Sequence, residues 1–394
     1  MHEYTHYLQT LTTVNGLSAL TIYLDLIIKI TEDIYRSIVN NQFNTKNIIN
    51  KYQDNFKRLD NIISWQSKPR NFGIKKNKPV FSLKKIYNPI VKMQVDEVFF
   101  YNTQDDLFYH ISPSVLRENM AMMAFLYAHG IGQDAVMDYV NTNNYKCKYW
   151  IIFHYFFSNF PQIRNVVIFT YYFCELSLMD LLPSLLISEL LPEIDRALNN
   201  IPYKDEDTFF NYLSSKFNNK IYNGFSVVFD TILKLRKKLE ILKSRKFYLS
   251  IESMLDLCER GIKYRRSNGT IFKVILDGRW IDNMAKIFLS PLILQPSNNF
   301  AILYDDSDYF DRLALLFGVA NVIQLFLHNE EIHSCPFYYD IPVCNLYSGN
   351  EEIENICIAK PNTIPKFPSG GCLFYYTCFV LGLLPPEEYK KYAE

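Results

Sequence analysis

The chain has 394 residues, 49% hydrophobic and 16% aromatic, ample for a large core in one or two domains. Lysine plus arginine equals aspartate plus glutamate at 41 each, so the chain lacks the basic footprint of a nucleic-acid binder, and no nucleic-acid partner is expected. The segment that comes closest to a charge-free apolar span, Tyr7–Leu24, carries Gln9, Asn15 and five Ser or Thr residues, so no membrane span is expected; nor is there a basic segment followed by an apolar one to mark a signal peptide, and the protein is expected to be soluble and cytoplasmic.

The sharpest chemical signal comes first. His2-Glu3-Tyr4-Thr5-His6 is an H-E-x-x-H pattern in a chain with only seven histidines. On a helix, residues four apart lie one above the other, so His2 and His6 can offer ring nitrogens to one zinc ion. Glu3 follows the first ligand and is placed to take the proton of a water attacking a carbonyl. Gln9, Thr10 and Thr13 continue the polar stripe, while Tyr4, Leu8 and Leu11 form an apolar stripe for burial. The pattern begins at the second residue, where a helix leaves its N–H groups unpaired and frays unless held. Two accounts are open: the metal pins this turn, or the natural chain carries a further N-terminal piece.

The motif helix is expected to run to about Val14 and to break at Asn15-Gly16, with a second helix from Ser18 to about Val39. Residues 41–64 read as a loop and a short helix. Between Asn61 and Val95 there is no acid but there are eight Lys or Arg residues, interrupted by Pro69, Pro79 and Pro89, which reads as a solvated loop. Period-two patterning then predicts a hairpin: Val91–Val95 and Val98–Tyr101 as strand, Asn102–Asp106 as turn and Leu107–Ile111 as return strand. An edge strand there could hold an extended peptide by main-chain hydrogen bonds.

Ser112-Pro113 has the chemistry of a helix start, serine as cap and proline in the first position. The helix that follows is apolar and small apart from Arg117, Glu118 and Asn119, and a charge in such a setting is rarely buried unless paired or bound to metal. A catalytic zinc takes three protein ligands and keeps one open position, so Glu118 is the candidate third ligand; the alternative is a surface glutamate beside Arg117.

The motif together with a glutamate on a later helix resembles the gluzincin group of zinc metallopeptidases. The resemblance implies His2, His6 and Glu118 as zinc ligands, Glu3 as general base, a zincin-like helical fold and a peptide or protein substrate. The group often carries E-x-x-A-D at the third ligand; here the string is Glu118-Asn119-Met120-Ala121-Met122, which keeps the alanine and lacks the aspartate that orients a ligand histidine. Gln9 stands where a metzincin has glycine. The competing reading is a non-catalytic, metallopeptidase-like protein acting as a binding or interaction module.

Further along, Trp150–Phe157 and Val166–Leu182 read as apolar helices, the second containing Glu175, a reserve third ligand, and Asp180. His154 reads as a core or surface histidine; His129, Tyr109 and His110 form a short list for oxyanion stabilisation. Helices are expected over about 184–199, 205–217, 221–243, 245–263 and 271–289, with Asp277 a minor ligand candidate. A strand or loop at Phe300–Tyr304 precedes a helix over about Ser307–His328. Five of the eight cysteines, Cys335, Cys344, Cys357, Cys372 and Cys378, lie in a loop-rich end without the paired spacing of a zinc ribbon. The expected fold is mainly α with one β-hairpin and a few short strands. It is read in three regions: 1–130 with the metal site, a helical 131–330, and a cysteine-containing 331–394.

Overall fold

Apolar residues at helical spacing dominate the chain, and helices dominate the structure. The computed structural model describes residues 2–39, 45–73, 76–103, 105–142, 149–200, 203–240, 246–271, 293–294 and 301–302. In chain order these form α1 (His2–Thr12), α2 (Val14–Val39), α3 (Thr45–Ser64), β1 (Phe81–Asn88), β2 (Met93–Asn102), β3 (Leu107–His110), α4 (Pro113–Ala128), α5 (Gln133–Thr142), α6 (Ile151–Asn159) and α7 (Val166–Ser177). Then follow α8 (Pro183–Asn200), α9 (Glu206–Lys216), α10 (Asn218–Glu240), α11 (Lys246–Asn268), β4 (Ile293–Leu294) and β5 (Ala301–Ile302). The fold is mainly α with a small antiparallel sheet, as the periodicity predicts. Of the expected helix over 271–289 only Ile271 is described; Asp277, the helix over 307–328 and the five C-terminal cysteines lie outside the described residues.

The chain gathers into two compact units, one of Met1–Ile22, Arg58–Leu233 and Leu257–Ser290, the other of Tyr23–Lys57, Lys234–Asp256 and Pro291–Glu394. Within the first, α7 is hydrophobic on almost every face, the pattern of a helix enclosed by others, and it packs against α4, α6, α8 and α9. α4 in turn packs against α1. Within the second, Asp25 pairs with Lys29 and Lys238, and Arg236 with Asp256, surface pairs that contribute little individually. The segment Val14–Asp33 of α2 is long and apolar enough to cross a membrane by length and composition, and 67% of its apolar window is buried inside the protein, as in a core helix.

Three expectations require correction. The break after the motif helix falls at Thr13, not at Asn15-Gly16. Thr13 caps α2, its Oγ1 accepting from Gly16 N at 3.0 Å while donating to Gln9 O at 2.7 Å, so Asn15 and Gly16 belong to the first turn of α2. The short helix within 41–64 is a 20-residue helix. The basic stretch is not all loop: β1 occupies Phe81–Asn88 and pairs with β2, so the expected hairpin is part of a three-stranded sheet in the order β1-β2-β3. Its lysines are compatible with a strand because Lys84 lies over the Phe72 ring, Lys85 stands opposite Asp96 on the exposed side, and Ile86 turns into the core. Exposed lysine is also what keeps an edge strand from pairing with another chain. Ile86, Phe99, Tyr101 and Phe108 bury one face of the sheet, with Trp65, Phe72 and Val80 closing over them.

Backbone approaches backbone where α11 crosses α1. A Cβ at Gly261 would lie 1.8 Å from Leu11 O, closer than any neighbour can tolerate, so glycine is the residue that lets the two helices meet. Gly261→Ala is expected to destabilise the protein by about 3 kcal/mol through forced separation of these helices. Gly132→Ala, where nothing lies within 4 Å, is expected to stay within about 0.5 kcal/mol of the parent. Urea unfolding of both variants checks this; equal midpoints would refute the close-approach argument.

Candidate metal site

α1 is polar by composition yet deeply buried. Thr5, Leu8, Gln9, Leu11 and Thr12 are each 0–1% exposed. A buried hydroxyl costs free energy unless it is bonded, and Thr10 and Thr12 bond back along their own helix. Thr12 Oγ1 donates to Leu8 O at 2.7 Å and Thr10 Oγ1 to His6 O at 3.0 Å. The C-terminal end of α1 is capped from α11. Arg265 donates through Nε to Thr12 O at 2.8 Å and through Nη1 to Gly269 O at 3.0 Å, and its Nη1 lies 2.5 Å from Glu175 Oε1. A cation there also complements the helix dipole. Glu175 completes the cluster by accepting from Thr270 Oγ1 at 2.5 Å and Ile271 N at 2.9 Å.

α4 starts as its sequence indicates. Ser112 accepts from Val115 N at 3.3 Å and Pro113 takes the first position. The helix buries Leu116, Met120 and Met123 and leaves Glu118 half-buried beside α1. The Arg117 side chain points back to the α1–α2 junction, where Nη2 donates to Asn15 Oδ1 at 2.9 Å, and burial lowers its guanidinium to about 10.

This packing brings together residues 112 positions apart. Glu118 Oε2 lies 3.4 Å from His2 Nε2 and 3.6 Å from His6 Nε2. The two rings are edge to face, with centroids 4.7 Å apart and planes at 89°. One ligand atom from each of the three residues falls within 4.8 Å of the others, and among the described residues this is the group with that geometry. The three side chains are 26–29% exposed, so the cluster opens to solvent on one side. Two donors each about 2.1 Å from a tetrahedral zinc stand about 3.4 Å apart, and the two nitrogen–oxygen separations match that edge.

Glu3 sits in α1 directly after His2, and its side chain lies outside the described ones. Glu175, the reserve ligand, is corrected: it is fully buried and committed to Arg265, Thr270 and Ile271. Asp180 accepts from Leu182 N at 2.9 Å, and burial raises its carboxyl. The residues considered for oxyanion stabilisation are engaged elsewhere. His129 is exposed at the end of α4 and bonds Phe125 O through Nδ1 at 2.8 Å. Tyr109 donates to Asp105. His110 is buried in the sheet, its Nδ1 accepting from Ser67 N at 3.2 Å and its Nε2 facing Glu97 Oε2 at 3.2 Å. His154 is largely buried, and burial lowers its imidazole.

Sequence reasoning missed two residues that hold the site. Gln9 bonds His6 Nδ1 through Oε1 at 3.0 Å and donates through Nε2 to Arg117 O at 2.9 Å. Its three-residue spacing from His6 was a usable signal. Arg265 carried no signal, because only the fold brings it to Thr12, 253 residues away. In comparisons with family models, with curated proteins and with solved structures, nothing matches this chain.

Arg265→Met would leave the Glu175 carboxylate buried without its cation, and is expected to destabilise by about 3–5 kcal/mol. Combining it with Glu175→Leu is expected to recover part of that loss, since an apolar pair needs no compensation. Urea unfolding of single and double variants measures the difference; a double variant as unstable as the sum of the two singles would contradict the pairing.

Proposed function

We propose that this chain is a zinc-dependent metallohydrolase, of the peptidase type, acting on a peptide or protein substrate. The observation that carries this reading is the separation of Glu118 Oε2 from the Nε2 atoms of His2 and His6, 3.4 and 3.6 Å, the spacing of donors around one tetrahedral ion. His2 and His6 supply neutral nitrogen donors, and Glu118 a hard oxygen donor that offsets one of the two charges of the ion. Zinc, when bound, supplies Lewis acidity that polarises a carbonyl and acidifies a water. Glu3 has the sequence position of the base: its carboxylate takes the proton released by the attacking water and can return it to the leaving amine.

Partial exposure separates this reading from a structural metal site. Structural zinc is enclosed by four protein ligands, whereas catalytic zinc keeps three and an open side. The described cluster offers three ligands, each about a quarter exposed.

Elemental analysis of the purified protein is expected to find about one zinc per chain, lost in His6→Ala and in Glu118→Ala. Glu3→Gln is expected to retain the metal while hydrolysis of a mixed peptide library falls by about 10²–10⁴-fold. A wild-type protein that takes up no zinc on incubation rules out the enzyme. Zinc bound at His2, His6 and Glu118 with no hydrolysis to lose supports the non-catalytic reading instead.

A further inference from the structure

The proposed ligand His6 is held by a side chain that no part of the motif specifies. Gln9 is 0% exposed, so its amide must find partners inside the protein. It has two: the carbonyl of Arg117 at 2.9 Å and His6 Nδ1 at 3.0 Å. The amide can be oriented without seeing its hydrogens. A backbone carbonyl only accepts, so the group facing Arg117 O must be the NH₂ of Gln9. Its oxygen therefore faces His6 Nδ1, and because an amide oxygen carries no proton, the proton of that bond belongs to Nδ1. A neutral His6 is thereby set in the Nδ1–H form and its Nε2 is left as the donor atom for a metal; Glu118 Oε2, 3.6 Å from Nε2, is beyond hydrogen-bond range and does not claim the proton for that nitrogen.

We infer that Gln9 is the positioning residue of this site: it selects the ligand-competent tautomer of His6 and, through Arg117 O, ties the turn carrying Glu118 to the motif helix. Arg117 immediately precedes Glu118, so one buried amide sets both the ring of one ligand and the backbone beneath another. A neutral amide on the motif helix thus does what the missing aspartate at Met122 would do in the resembling group. The metal part of this inference rests on the proposed function; the tautomer part does not.

The test begins with metal-free, ¹⁵N-labelled protein at about pH 8, above the ordinary imidazole range. Two-bond ¹H–¹⁵N correlation of the histidine rings reads the tautomer directly, and His6→Ala assigns the signals. Wild type is expected to show His6 protonated at Nδ1. Gln9→Met, which keeps the size and removes both bonds, is expected to release His6 to the Nε2–H form or to a mixture. Gln9→Glu, which keeps an acceptor oxygen, is expected to restore Nδ1–H. An Nε2–H ring in the wild type, or a tautomer indifferent to Gln9→Met, overturns the inference. That wild-type measurement decides even if a variant folds poorly. Competition for Zn²⁺ against a chromophoric chelator is expected to show affinity about 10–100-fold weaker in Gln9→Met and partly recovered in Gln9→Glu, which keeps the acceptor for His6 but loses the donor to Arg117 O. Equal zinc affinity in wild type and Gln9→Met also overturns it. If the tautomer follows Gln9 while no variant binds Zn²⁺, the metallohydrolase reading fails and the positioning role stands.

Discussion

A helix with four threonines in or beside it, two histidines and a glutamine is a poor candidate for burial, and the arrangement of the first unit follows from how α1 is buried nonetheless. The hydroxyls of Thr10, Thr12 and Thr13 bond to carbonyls of α1 itself, which offsets their desolvation without calling on other elements. Its last carbonyl is taken by Arg265, and Gly261 lets α11 lie directly on the Leu11 peptide. α4 covers another side, joined through Gln9 and Arg117. A helix held along its length in this way keeps its first turn in register with α4, so that His2 and His6 meet Glu118.

The ion pair behind that anchor has its own logic. Glu175 and Arg265 are 0% and 4% exposed, and each satisfies its remaining valences locally, Glu175 with Thr270 and Ile271, Arg265 with Thr12 and Gly269. A buried pair adds little net stability compared with apolar packing, but it imposes a geometry that apolar packing does not. Here that geometry fixes the end of α11 and the end of α1 against α7. The junction of α1 and α2 is fixed in parallel: Asn15 N donates to Leu178 O at 3.0 Å, Asn15 Oδ1 accepts from Arg117, and Gly16 fits where a Cβ would meet Gln9 O at 2.3 Å.

The sheet shows where local reading loses to tertiary context. β2 and β3 have the alternation of a half-buried hairpin and were legible in it. β1 has two consecutive lysines and no acids, the composition of a solvated loop. What makes it a strand is Asp96 opposite Lys85, the Phe72 ring under Lys84 and the apolar cluster that needs Ile86. Strand propensity of this kind belongs to the neighbour across the ladder, which a linear reading does not see.

The sequence by itself determined what short-range rules control. The mainly α character, the ends of α4 and α8–α11 to within a few residues, the Ser112 cap and the pairing of His2 with His6 on one helix face all depend on spacings of one to five residues. It also singled out Glu118, because an acid in an apolar helix demands a partner. The tertiary structure decided the rest: that Glu118 lies beside those histidines, that Glu175 is spent on Arg265, and that Gln9 joins α1 to α4. Each of these is a contact between residues about 90 or more positions apart in the chain, set by which helix faces pack together. Local periodicity says that a face is buried and leaves open which element covers it.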